Sequence, residues 1–237
     1  MTKRYDALFF DVDNTILDFT KTEQEALPLL FSQHGLPTDE AAMTAYRTIN
    51  HRLWSSFEKG EIDRDNVVSS RFTEFFALYD KQVDGADLDA AYRELLAQGR
   101  HMIAGAAEVL EKLSQDYPLY IVTNGVSETQ FRRLKATGLL PYFQSVFVSE
   151  DTGYQKPMAG FFDYVFERVP EIKPERSLII GDSLVADIQG GNMAGMDTCW
   201  FNPGRLPNHL PLHPDYEITK LEELLDILKQ QRRSSNL

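Results

Sequence analysis

An α/β fold is predicted for this chain: a Rossmann-like parallel sheet with helices on both faces, interrupted by an inserted all-α helical cap. Three observations predict it. An apolar run over residues 7–10 stops abruptly at Asp11 and Asp13, as a buried parallel strand does at its carboxyl end. Residues 17–103 carry amphipathic helical spacing and no strand-like alternation. From residue 104 onward, strands and helices alternate strictly, which is the pattern of a parallel sheet. The expected organisation is a core formed by residues 1–16 and 104–237, with the cap at 17–103.

After the first strand, Thr22-x-x-Glu25 has the form of a capping box and opens a helix that ends near Gly35. A second helix starts after Thr38 and stops at Gly60. A third follows Asp63 and carries Val67, Phe72, Phe75 and Phe76; a fourth follows Asp87. This helical insertion of roughly eighty residues is far longer than an ordinary strand-to-helix connection.

Helix 106–115 then leads into strand 119–123, which Asn124-Gly125 ends. Helix 127–137 precedes strand 145–148, helix 160–169 precedes strand 177–180, and helix 184–194 precedes strand 198–201. A terminal helix at 221–231 is followed by a frayed end. No internal repeat or low-complexity segment is present.

At 237 residues the chain is long enough for one large core plus a smaller unit. Its 24 basic and 36 acidic residues give a net charge of -12, which argues against a nucleic-acid polymer as partner. A small anionic substrate stays compatible, because a bound cation and a few lysines can reverse the local field. The single cysteine, Cys199, permits no internal disulfide and reads as a small buried hydrophobe, so a reducing compartment is expected. No basic leader with an apolar segment opens the chain and no apolar run approaches a membrane span. The expectation is a cytoplasmic protein without a membrane partner. A monomer is the default, since no long apolar stripe demands a second copy.

Four strand ends finish in polar residues: Asp11-Val-Asp13, Thr123-Asn124-Gly125, the loop holding Gly153 and Lys156-Pro157, and Gly181-Asp182-Ser183 with Asp187 beyond. In an open parallel sheet these ends share one edge, where ligands bind. Paired carboxylates there repel unless a cation lies between them, and a hard, oxygen-liganded ion such as Mg2+ fits. One acid can then attack an electrophile while the other handles a proton. Taken singly each signal is bland: an Asp-x-Asp is commonly a solvated turn, Thr-Asn-Gly a turn, Lys-Pro a helix entry. Four in order at four strand ends carry more weight. The histidines His34, His51, His101, His209 and His213 show no ligand spacing.

With these residues in view, the chain resembles the haloacid dehalogenase superfamily of aspartate-nucleophile phosphohydrolases, all four motifs appearing in order over nearly its whole length. Within it, the chain resembles the branch with a helical cap between the first and second motifs. It is most similar to the bacterial pyrimidine 5'-nucleotidase group, through Trp54, Phe57, Gly60, Ile62 and Arg71-Phe72. The resemblance implies a role for each motif residue. Asp11 would be the nucleophile and Asp13 the acid and base. Asp11, the Asp13 carbonyl and Asp182 would hold Mg2+, with Asp187 in support. Thr123 and Lys156 would bind phosphoryl oxygens, and Asn124 and the Gly125 backbone would add donors. In the cap, Trp54 and Arg71 are candidate substrate contacts; Trp54, Phe57, Phe72, Phe75 and Phe76 each suit a cap core better than a stack against substrate, and Arg71 equally suits an ion pair within the cap. The resemblance also implies a lid role for the cap.

An acid at Asp13 favours ester oxygens over halides as leaving groups, because only the former need a proton. Asn14 departs from the glycine commonest at its position. The implied activity is a Mg2+-dependent phosphomonoesterase for small phosphorylated metabolites, nucleoside 5'-monophosphates first. A phosphoglycolate or sugar-phosphate phosphatase, a sugar phosphomutase and a non-enzymatic binding module are the alternatives.

Overall fold

The computed structural model describes residues 5–208 and 210–234; His209 and the expected frayed end lie outside them. Strand β1 (Ala7–Phe10) lies between β2 (Leu119–Thr123) and β4 (Ser177–Gly181) in a six-stranded parallel sheet of order β3-β2-β1-β4-β5-β6. The remaining strands are β3 (Ser145–Val148), β5 (Asp197–Phe201) and β6 (Tyr216–Ile218).

Side chains alternate along a strand, and here both faces are covered. Leu8 and Phe10 pack with Val109, Leu110 and Leu113 of helix α5 (Ala106–Ser114) and with Leu224 and Leu228 of the last helix, α10 (Glu223–Ser234). Ala7 and Phe9 pack on the other face with Phe161, Phe162 and Val165 of helix α8 (Ala159–Arg168). Burial on both faces is why these strands read as continuous apolar runs.

The chain divides into two units, Met1–Phe19 with Arg100–Leu237, and Thr20–Gly99. The second is all helical: α1 (Phe19–Gln33), α2 (Glu40–Glu58), α3 (Arg64–Ala77) and α4 (Gly85–Leu96). Its interior is aromatic, with Phe31 stacked on Phe75 at 4.4 Å and Tyr46 on Phe72 at 5.2 Å between ring centroids. Phe57, Phe72, Phe75 and Phe76 are buried in it, and half-buried Trp54 packs against Leu53, Phe57 and Val67.

Two helix starts differ from expectation. Helix α1 begins at Phe19, so Thr22 is buried inside it rather than capping it. Helix α4 begins at Gly85, because the Asp84 side chain accepts from the backbone N–H groups of Ala86 and Asp87; Asp87 falls in the first turn. The segment expected as one helix at 184–194 opens with a π-helical turn, Leu184–Gln189, and continues as α9 (Gly190–Met193). There Gly191 lies against the sheet so closely that a Cβ would come within 2.4 Å of Ile179 Cγ2. Strand β6 was not expected; three residues are too few to show a period. Between β2 and β3 lies α6 (Ser127–Ala136), and a short helix, α7 (Ser149–Thr152), follows β3.

Candidate active site

Strand β1 delivers Asp11 to the carboxyl edge between the ends of its two neighbours, where β2 presents Thr123 and β4 is followed by Asp182. The connections leaving β1 and β4 run in opposite directions there, toward β2 and toward β5, which makes the edge between these two strands a crevice for ligands. The Asp11 backbone N–H donates to Ile180 O at 2.9 Å, tying the first loop to β4. Just beyond, Asn14 adopts φ +57°, a left-handed conformation that favours glycine and tolerates asparagine. That is the physical sense of the asparagine in place of glycine.

Lys156 reaches the site from the loop after α7, with its side chain 1% exposed. Its ammonium donates to Asp11 Oδ1 at 2.9 Å, Asp187 Oδ1 at 2.6 Å and Val122 O at 2.7 Å, using all three of its hydrogens. Burial alone would favour the neutral amine, but Asp11 and Asp187 outweigh it and hold the charge. The Asn124 side chain fixes the lysine's backbone, donating to Lys156 O and accepting from Lys156 N, both at 2.9 Å. One of the two hydrogens of its amide is thereby engaged within the site. Gly125 N–H donates to Thr123 Oγ1 at 3.2 Å.

On the other side Asp187, carried by the π turn, accepts from Ser183 N–H at 3.1 Å. A Cβ at Gly181 would lie 2.1 Å from Asp187 Cγ, so the carboxylate stands where only glycine leaves room. Asp11, Asp182 and Asp187 each offer a carboxylate oxygen within 4.8 Å of the others. Burial pushes the Asp11 carboxyl up to about 7; Lys156 opposes this, while Asp187 and Asp13 add to it. Burial, then Asp11 and Asp187, also push Asp182 well above the usual carboxylate range. With Asp13 counted, four carboxylates face two cations, Lys156 and Arg133. The balance of charge and the all-oxygen donors suit a divalent hard ion such as Mg2+.

Asp13, two residues on from the nucleophile candidate, turns its carboxylate to α6. It accepts from Gln130 Nε2 at 2.7 Å and pairs with Arg133. It would therefore meet an ion through its main-chain carbonyl. Thr15 Oγ1 donates to Asp11 Oδ2 at 3.3 Å. Thr15, Gln130 and Arg133 escaped the reading of the sequence. The signal for the last two was polar residues at helical spacing behind Thr123-Asn124-Gly125, which resembles a solvated face until the fold buries them.

In the cap, Arg71 is buried and donates through Nε to Asp89 Oδ1 at 2.8 Å, and through Nη1 to Asn50 Oδ1 at 3.3 Å. Of the two readings the sequence left open for Arg71, the ion pair within the cap is the one present. No helix among the described residues is long and apolar enough to cross a membrane.

The family model for haloacid dehalogenase-like hydrolases matches residues 5–195. The chain is 52% identical over 226 residues to the HAD-hydrolase YfnB of Bacillus subtilis, covering 95% of this chain and 96% of YfnB. It is 40% identical over 225 residues to the pyrimidine 5'-nucleotidase PynA of Streptococcus pneumoniae, covering 94% and 95% respectively. A crystal structure of YfnB bound to magnesium superposes with a TM-score of 0.92 at 51% identity, over 96% of this chain and all of that one.

Proposed function

This chain belongs to the haloacid dehalogenase-like hydrolase family, and we propose that within it the chain is a Mg2+-dependent phosphomonoesterase acting through an aspartyl-phosphate. The observation that carries the mechanism is the Lys156 ammonium bridging Asp11 and Asp187 at a sheet edge lined with carboxylates. Similarity to PynA, a pyrimidine 5'-nucleotidase, supports nucleoside 5'-monophosphates as the substrate class.

In this reading Asp11 attacks phosphorus, and the bond from phosphorus to the ester oxygen breaks. The leaving oxygen takes its proton from Asp13 and departs as an alcohol. Water then attacks the aspartyl-phosphate and gives a proton to Asp13. The acyl phosphate bond breaks at phosphorus, releasing inorganic phosphate and restoring Asp11. Lys156 keeps the Asp11 carboxylate from repelling a dianionic ester, and Thr123 donates to a phosphoryl oxygen. Asp11, Asp182, Asp187 and the Asp13 carbonyl are the groups that would hold Mg2+, which supplies positive charge against the equatorial oxygens. In the cap, half-buried Trp54 remains a candidate contact for the leaving group.

The test is inorganic phosphate release from a panel of nucleotide, sugar and glycolate phosphates, with Mg2+ or a chelator, beside Asp11→Asn. Release that needs the metal, favours nucleoside monophosphates and vanishes in the mutant is expected. Turnover by Asp11→Asn sinks the mechanism, whereas preference for sugar or glycolate phosphates removes only the nucleotidase assignment.

A further inference from the structure

Behind the reacting groups lies a buried chain of hydrogen bonds that the steps above leave unused. Gln130 Nε2 donates to Asp13 Oδ2 at 2.7 Å and to Thr123 Oγ1 at 3.0 Å. Arg133 Nη1 donates to Asp13 Oδ1 and, at 3.0 Å, to Gln130 Oε1. Both residues come from α6 and are 1% exposed.

Two consequences follow for the acid and the hydroxyl. Each oxygen of Asp13 is anchored from the α6 side, which fixes the plane of its carboxylate. Thr123 Oγ1 accepts from both Gln130 and Gly125, so both of its lone pairs are engaged and its own hydrogen is left to donate outward.

As a stability element, Arg133 is poor. Its Nε and Nη2 are buried without a hydrogen-bond partner, and its guanidinium lies over the Phe19 ring at 5.5 Å. Unmet donors on a buried charge cost free energy that an apolar residue at this position of α6 would avoid. Such a cost is most readily tolerated at a site of chemistry.

We propose that Gln130 and Arg133 are positioning residues for phosphoryl transfer, holding the Asp13 carboxylate and turning the Thr123 hydroxyl so that both stand in a fixed relation to Asp11. The proposal rests on the phosphomonoesterase reading. Proton transfer needs its donor within hydrogen-bond reach of the leaving oxygen, and a carboxylate swung aside loses that contact. The loss then depends on the leaving group: an alkoxide needs the proton as its bond breaks, whereas a stable phenolate hardly does.

The experiment compares kcat/KM, which includes departure of the leaving group, for 4-nitrophenyl phosphate and for whichever alkyl phosphate the wild type cleaves best. Gln130→Met removes the bridging amide without stranding a charge, and its thermal unfolding checks the fold. It is expected to lose about tenfold or more on the alkyl ester beyond whatever it loses on the aryl ester, the common part reporting the Thr123 hydroxyl, which serves both esters, and the excess reporting the proton from Asp13. Arg133→Met is expected to show the same selectivity, and Arg133→Lys to recover part of it. If Arg133→Met does not fold, Gln130→Met alone decides. Equal losses on the two esters, or none, overturn the inference while wild-type turnover leaves the functional reading standing. No phosphate release by the wild type from either ester overturns both.

Discussion

Asn14 is where the first loop turns away from the nucleophile candidate, and its φ of +57° sets a measurable constraint on the side chain allowed there. An L-residue with a Cβ pays about 1–2 kcal/mol in this region, asparagine least and glycine not at all. The Asn14 N–H also donates to Leu17 O at 2.7 Å, so the turn cannot open without losing that bond. Asn14→Ala should therefore lower stability by about 1–2 kcal/mol, while Asn14→Gly should stay within about 1 kcal/mol of wild type. Urea unfolding of the three proteins checks the order, and an alanine variant as stable as wild type would show that the turn carries no such strain. At this scale the sequence was informative in part. The departure from glycine at position 14 was visible, but its geometric meaning needed the backbone. Arg71 shows the reverse case: a cation among cap aromatics suits a ligand as well as an ion pair, and the ion pair with buried Asp89 became visible only in the structure.

Helix starts show what a local pattern can and cannot specify. Asp39 caps α2 by accepting from Ala42 N–H at 2.9 Å, satisfying one of the donors that a helix leaves unpaired at its start. Asp39→Ala should cost about 1 kcal/mol, and the neighbouring Thr38→Ala should cost little, both read as shifts in the urea midpoint. Equal effects from the two would show that the cap bond contributes nothing to α2. Asp63 was legible as a cap for the same chemical reason, since its side chain accepts from Asn66 N–H. A capping-box spacing also recurs inside helices, and Thr22 is a buried residue within α1 rather than its cap. Strands β1 to β5 were legible because burial on both faces makes them apolar runs with abrupt polar ends. Strand β6, three residues at the sheet's edge, offered no such contrast. The same logic made the site's outline legible: residues at the carboxyl ends of parallel strands must share an edge, so Asp11, Thr123 and Asp182 were bound to be neighbours. Gln130 and Arg133 were not, because a helix face rich in polar groups is ordinarily solvated. That this one is buried follows from where α6 lies in the fold.

At the scale of the whole chain, a net charge of -12 and a carboxylate cluster at the sheet edge give a divalent cation two distinct ways to stabilise the protein. Screening acts on the surface as a whole and follows ionic strength, whichever cation supplies it. Binding at Asp11, Asp182 and Asp187, as proposed, would be saturable and by mass action would give about 2.7 kcal/mol at one hundred times the dissociation constant. For a chain of this size that corresponds to a rise in Tm of about 5–10 °C. Mg2+ should therefore raise Tm well beyond NaCl at matched ionic strength, and a chelator should reverse the rise. Asp182→Asn separates the two contributions. The backbone carbonyl that accepts from Trp200 Nε1 at 2.9 Å is kept, while one of three mutually repelling carboxylates is removed. The metal-free variant should therefore be at least as stable as metal-free wild type, yet gain much less from Mg2+. The two proteins' melting curves then cross over as magnesium is added, a result that screening cannot produce. Should Asp182→Asn gain as much from Mg2+ as the wild type, the ion is held somewhere other than this cluster, and the carboxylates at the sheet edge need a different counter-charge.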